Sequence, residues 1–384
     1  MKILHIVDYI GPHGGLYQIL RILEENLGSY GIENHYLALK NTPYELDQSL
    51  VTLPMDVLGD GDFYSYIDEQ KPDIIHIHSD LQNECFEYCI ENYVTVRSVF
   101  DWGPFCPRPM FDNAYCPCDP LFKEKRDQEF INRFCIKEGC IKEEDIAAFN
   151  KKINLLKRVK MNVCLSEANV NYLVNMGADR EKIFKMPPIM KPPKTFEKQA
   201  EENVLLFAGR VVYHKGTELL LKSLTKVKNK NWKLFIEGTG DKAYVADLVR
   251  FSIVNNIDDK VIFMGHSKYE EYLNVFNKAK IMIFPSIYAE GYGYPGYEAM
   301  LRGIPLVAFA EIGGVDEWLR DGYNGIKVPF MDTDKMANAI DSLLDNEALY
   351  KKCRDNSIAW SKSIDFEAEI KAMSDMYHNV MKNN

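Results

Sequence analysis

Two glutamates, Glu290 and Glu298, flank seven residues in the segment PSIYAEGYGYPGYEAMLRGIPLVAF. An apolar strand, IMIF, ends at Pro285-Ser286, a turn carrying Gly291, Tyr292, Gly293 and Tyr294 follows, and a helix is predicted from about Pro295. A helix that starts at the carboxyl end of a parallel strand offers free N–H groups to a negative ligand. One carboxylate on the turn and one on the first helical turn can each accept hydrogen bonds from the hydroxyls of one ligand. The competing reading of Glu298, an acid favoured by the helix dipole, weakens once a second pair is considered. In LLFAGRVVYHKGTELLLKSL, Arg210 and Lys215 leave another strand end five residues apart, ahead of a helix opened by Gly216-Thr217. Two cations in that position suit a diphosphate. Near the N-terminus, GPHGGLYQIL places Gly14 and Gly15 where backbone approaches a ligand closely, without the GxGxxG pattern of a dinucleotide site.

Such residues need strand ends to hold them. Short apolar runs alternate with helical periodicity along nearly the whole chain, which predicts an α/β protein with parallel sheets. The strands are read in KILHIV, NHYLAL, DIIHIH, VTVRSV and MNVCLS, then in NVLLFAG, WKLFIEG, KVIFMG, IMIFPS and PLVAF. Two doubly wound Rossmann-like domains follow: residues 1–190, and residues 200–359, with the proline-rich MPPIMKPPKTFEKQAEEN as linker. A helix over 360–384 is left free to rejoin the first domain. Residues 101–141 break the alternation and read as an insertion holding Cys106, Cys116, Cys118, Cys135 and Cys140. Their spacing favours ordinary thiols over a closed zinc site, with a disulfide third. The basic stretch KKINLLKRVK reads as a solvated helix face, with peripheral contact to an anionic membrane as the lesser alternative.

The whole composition agrees. With 384 residues, 46% of them hydrophobic, there is enough apolar material for two cores. The 46 basic residues against 56 acidic ones, net −10, argue against nucleic acid as a partner. MKILHIVDYIGPHGG reads as a first strand rather than a signal peptide, and no apolar run is long enough to span a bilayer, so a cytoplasmic protein with reduced thiols is expected.

AGRVVYHKG, the IEGTGD turn, VIFMGH, EGYGYPGYE and EIGGVDEWLRDGYNG, in this order, resemble the retaining glycosyltransferases of family 4, which have the glycosyltransferase B fold of two domains facing across a cleft. The resemblance is strongest from Val204 to Pro329. It implies transfer of a hexose or N-acetylhexosamine from a UDP- or GDP-sugar to a glycan, lipid-linked or small-molecule acceptor, with no metal or other cofactor. By resemblance, Arg210 and Lys215 bind the donor diphosphate, Glu298 the ribose and Glu290 the transferred sugar. The backbone of Gly291, Tyr292, Gly293 and Tyr294 then lines the sugar and phosphate site, and main chain near His266 approaches the base. Many relatives carry a His-Asp pair at the end of the fourth N-terminal strand; here Phe100 stands at the histidine position and Asp101 is retained, as a sugar or acceptor contact or a turn cap. His13 and His78, also at strand ends, read equally well as structural. An epimerase or hydrolase on the same plan, or a nucleotide-sugar-binding protein without turnover, are the alternative readings.

Overall fold

The structure is a computed structural model and describes residues 1–9, 15–40, 53–100, 143–196, 202–265, 267 and 269–382. His13, Gly14, Asp101, His266 and the five clustered cysteines lie outside the described residues.

The chain divides into two compact units. In the first, the elements run β1 (Lys2–Val7), α1 (Gly15–Leu27), β2 (Glu33–Ala38), β3 (Met55–Val57), α2 (Phe63–Gln70), β4 (Ile74–Ile77), α3 (Asn83–Asn92), β5 (Val94–Val99), α4 (Glu143–Arg158), β6 (Met161–Cys164), α5 (Glu167–Asn175) and β7 (Ile183–Lys185). The sheet order is β3-β2-β1-β4-β5-β6-β7, and every neighbouring pair is parallel. β4 and β5 are buried at every position, as expected of interior parallel strands covered on both faces.

The second unit, Lys191–Ile364, contains β8 (Val204–Ala208), α6 (Thr217–Lys226), β9 (Lys233–Glu237), α7 (Lys242–Val254), β10 (Val261–Gly265), α8 (Tyr269–Lys278), β11 (Ile281–Phe284), α9 (Tyr294–Leu301), β12 (Leu306–Phe309), β13 (Gly325–Val328), α10 (Thr333–Asp345) and α11 (Glu347–Ser363). Its sheet order is β10-β9-β8-β11-β12-β13, again all parallel. The core of this unit includes Leu220, Leu221, Ile283, Val307, Ile340 and Leu343, each fully buried, and burial of one such side chain stabilises by about 2 kcal/mol.

All ten strands predicted from sequence are present. The three not predicted, β3, β7 and β13, each sit at a sheet edge. The helix predicted from residue 360 is corrected: Trp360 lies inside α11, and the final helix α12 (Phe366–Lys382) starts after a break at Ile364-Asp365. The break has a local cause, since the Asp365 carboxylate accepts from the Ala368 N–H at 3.0 Å and so caps a new helix. α12 belongs to the first unit, where it contacts α1.

The basic stretch ending α4 faces acids rather than solvent alone. Lys151 pairs with Glu84 and Glu87, Lys152 with Asp80, and Arg158 with Glu87 and Glu91. This largely neutralises the face that a membrane would need. No helix among the described residues is long and apolar enough to cross a membrane.

Candidate functional site

In an open parallel sheet, the crevice forms at the carboxyl ends of the two strands where the winding reverses. In the second unit these are β8 and β11. The turn after β8 carries Arg210, His214 and Lys215; the turn after β11 carries Ser286, Tyr288 and Glu290.

Backbone contacts stitch the two turns together. His214 O accepts from Ile287 N–H at 3.0 Å, and Ser286 Oγ lies 3.3 Å from the same oxygen. Gly216 has φ +71°, and a Cβ there would stand 1.9 Å from Pro285 O. Only glycine permits this approach, and the approach puts Lys215 within reach of the second turn. Lys215 Nζ donates to Glu290 Oε1 at 2.6 Å, and Ser286 Oγ donates to the same oxygen at 2.6 Å. The Lys215 ammonium also lies 5.7 Å from the centre of the Tyr288 ring.

Glu290 is 6% exposed, so its charge depends on these donors. Its backbone is fixed from the other side, with Glu290 N–H donating to Ile312 O at 2.9 Å and Gly314 N–H to Glu290 O at 2.8 Å. Gly313 and Gly314 make this possible, since a Cβ on either would fall within 2.5 Å of main-chain oxygen in the Glu290-Gly291 segment. His214 is drawn into the same electrostatic set. Burial, then the charges of Lys215 and Arg210, lower its pKa to about 4 against a smaller opposing effect of Glu290. Arg210 itself is exposed and has partners of its own.

Gly291, Tyr292, Gly293 and Tyr294 lead into α9. Gly293, at φ +83°, precedes the helix, and its carbonyl accepts from Tyr297 N–H at 3.0 Å. The Tyr292 carbonyl accepts from the indole of the fully buried Trp318 at 2.8 Å. The amides at the start of α9 have no intrahelical acceptor and can be presented to an anion. The Tyr294 hydroxyl is buried with no hydrogen-bond partner.

Glu298 belongs to a different set of contacts. Its two oxygens accept from Tyr272 Oη at 3.0 Å and from an Arg302 guanidinium nitrogen at 3.3 Å. Burial raises its pKa, opposed by Arg302 and by the tyrosine hydrogen bond. The structure thus brings Arg210, Lys215 and Glu290 into one neighbourhood and gives Glu298 its own partners. A further cavity, lined by Thr195, Phe276, Arg302, Tyr350 and Arg354 among others, shares Arg302 with Glu298 and nothing with Lys215.

Residues 191–360 match the family described as Glycosyl transferases group 1. The matched stretch coincides with the second unit. The chain is 34% identical over 148 residues to an uncharacterized glycosyltransferase of Methanocaldococcus jannaschii, covering 38% of this chain and 37% of the relative. It is 29% identical over 231 residues to the D-inositol 3-phosphate glycosyltransferase of Mycolicibacterium smegmatis, covering 55% and 52%. The matches therefore span about half or less of these relatives. The crystal structure of Anabaena HepE in complex with UDP and glucose superposes with a TM-score of 0.75 at 14% identity, over 99% of this chain and 100% of that one. That likeness extends the glycosyltransferase B fold over both units.

Within the second unit, two residues carry contacts that sequence reading passes over. Ser286 was noted only as the end of a strand, yet it is 1% exposed and donates to Glu290. Glu237, the last residue of β9, is also buried, and its oxygens accept from Ser267 N–H at 2.8 Å and Ser267 Oγ–H at 2.9 Å. A carboxylate ending an apolar strand is the signal that marks it. In the first unit, Gly15 opens α1, while His78 is buried among other histidines and reads as structural. Phe100 lies at its side, with ring centres 6.2 Å apart.

Proposed function

We propose that the chain is a retaining glycosyltransferase that moves a hexose or N-acetylhexosamine from a UDP- or GDP-sugar to a glycan or glycolipid precursor, acting in the cytoplasm without a metal. The observation that carries this reading is the Lys215–Glu290 contact at the reversal point of the second sheet. Without ligand the two charges satisfy each other. With donor bound, the ammonium turns to the diphosphate and the carboxylate is released to hydroxyls of the transferred sugar. Arg210, Lys215 and the first amides of α9 then stand where charge grows on the leaving diphosphate, and such preorganised donors act on the transition state more than on the ground state. The family of the second unit and the UDP in the HepE crystal structure support this donor class.

The test is a thermal-shift screen against UDP- and GDP-sugars, followed by product analysis with and without a chelator. A ligand that binds the folded form at 100 times its Kd stabilises by about 2.7 kcal/mol. One donor should raise the Tm and yield an α- or β-configured product matching its own anomeric configuration, unaffected by chelator. If no nucleotide sugar stabilises the protein, or if product forms only with added metal, the reading fails.

A further inference from the structure

The first unit holds a second polar assembly that the proposed reaction does not use. His5 on β1, His76 on β4 and His78 just beyond it are fully or almost fully buried. The parallel register sets His5 beside His76, and period-two alternation puts His78 on the same face. His5 Nδ1 lies 2.8 Å from His78 Nε2, and His5 Nε2 lies 3.1 Å from Asn34 Oδ1. Ser98 Oγ stands 3.0 Å from His78 Nδ1 and 2.8 Å from His76 Nε2, while His76 Nδ1 is 2.6 Å from the Tyr377 hydroxyl on α12.

These contacts fix the hydrogen positions of neutral rings. Asn34 Nδ2 donates to Leu23 O at 3.3 Å, so its Oδ1 faces His5 and must accept. His5 is then protonated on Nε2, and its Nδ1 accepts from His78 Nε2–H. His78 Nδ1 accepts the single proton of Ser98, whose oxygen accepts from His76 Nε2–H. His76 Nδ1 is left to accept from Tyr377. One direction runs without interruption from α12 to α1, across residues 301 positions apart in sequence at the Tyr377 end.

The same three histidines have ligand atoms close enough to hold a metal ion. The physical setting opposes it. Every ring nitrogen already has a partner, the set contains no carboxylate, and Arg97, 5% exposed, adds a positive charge beside it. A dication there would be buried next to a guanidinium, with no carboxylate among its described ligand atoms.

We propose that this string is an acid-sensitive lock holding the C-terminal helix against the first sheet. A proton added to any of the three rings turns an acceptor into a donor. The order of donors and acceptors towards Tyr377 must then reverse, and a hydroxyl hydrogen of Ser98 or Tyr377 is displaced from its acceptor. The charged ring also faces the other two histidines and Arg97 in a low-dielectric interior. The remaining polar neighbours do not offset this. Tyr36, stacked on His5, donates its hydroxyl hydrogen to Glu24, with Leu20 O 3.3 Å away; His35 pairs outward with Glu33; His378, on α12, bonds back to Ser374 O. Burial lowers all three histidine pKa values, that of His5 to about 4. The open form binds protons below about 6.5 and the closed form does not, so closure is fully favoured above that pH and is lost as pH falls towards 4.

Two measurements test the lock in the full-length protein. In ¹⁵N imidazole spectra, His5, His76 and His78 should be neutral Nε2–H tautomers from pH 8 to pH 5. In hydrogen exchange corrected for intrinsic rates, α12 should open more often at pH 5 than at pH 7, by about 25-fold for each imidazole that opening exposes. α10 in the second unit, which buries no histidine, should change less than about threefold on the same basis. Ser98→Ala should speed α12 exchange at pH 7 by at least about tenfold, from loss of one buried hydrogen bond and the acceptor it serves. If that variant does not fold, the wild-type spectra still decide. Titration of any of the three rings near pH 6.5, an Nδ1–H tautomer at any of them, pH-independent α12 opening, or stoichiometric bound zinc would each overturn the proposal.

Discussion

The two polar assemblies in this chain are built on opposite rules. The histidine string of the first unit is uncharged, and each donor in it meets an acceptor that belongs to the string or to the adjoining backbone. The cluster of the second unit is made of full charges, with Arg210 exposed and Lys215 one fifth exposed. A closed, neutral string has no capacity left for a ligand and acts on stability. A charged pair that is satisfied only internally, at a sheet reversal point with solvent access, can exchange partners. Buried polar residues are thus better sorted by whether their partners are replaceable than by how unusual they look.

Mutations should separate the two. The largest effect belongs to Lys215→Ala, expected to lower kcat for sugar transfer ~100-fold, about 3 kcal/mol of transition-state stabilisation. It also strands the Glu290 carboxylate with Ser286 alone, so the Tm should fall too. The double variant Lys215→Met/Glu290→Gln removes the stranded charge and should recover Tm but not activity. Recovery of both would make the pair a structural feature and erase the contrast. On the other side, His78→Ala leaves His5 Nδ1 without a donor and the Ser98 hydroxyl hydrogen without an acceptor. About 3 kcal/mol of unfolding free energy should be lost, measured by urea titration, with donor affinity unchanged.

How much of this was legible beforehand follows from what each feature depends on. The interior strands announce themselves because burial on both faces demands continuous apolar runs such as IMIF and VLLFA. The edge strands β3, β7 and β13 do not, since a strand paired on one side needs no such run; in MDV no position is buried, and Asp56 and Val57 are exposed. Lys215 and Glu290 could be grouped from sequence because each ends a strand at a reversal point. The separate contacts of Glu298 could not, because Tyr272 lies on a helix whose placement depends on packing. The His76-x-His78 alternation did carry a signal of one shared face, but the direction of the string depends on Asn34, Ser98 and Tyr377, which only the tertiary register assembles.

Ser286→Ala sharpens the comparison at a smaller scale. Its hydroxyl donates to Glu290 Oε1 without touching any other charge in the cluster. Losing a hydrogen bond to a charged group should cost about 1.5 kcal/mol, ~10-fold in kcat/KM for the donor. Ser286→Thr keeps the donor and should restore part of the loss. Equal defects in Thr and Ala variants would indicate a packing role for this 1%-exposed residue.

The smallest expected effect concerns His214. Its imidazole is neutral at pH 7 because burial and the charges of Lys215 and Arg210 hold its pKa at about 4. Folding therefore excludes a proton that the unfolded chain binds below pH 6.5, and the protein loses stability as pH falls from there towards 4. A diphosphate arriving beside Lys215 and Arg210 supplies the opposite field and should return the pKa towards its solution value. Binding then takes up a fraction of a proton, and affinity for a nucleotide sugar should improve between pH 7 and pH 6, by at most about threefold, since burial continues to lower the pKa. The sugar diphosphate is the ligand to use, because its phosphates do not titrate in this range. Calorimetry in two buffers of different ionisation enthalpy measures the uptake directly, and His214→Asn should abolish it. Unchanged uptake in that variant would place the proton elsewhere and remove His214 from the charged cluster.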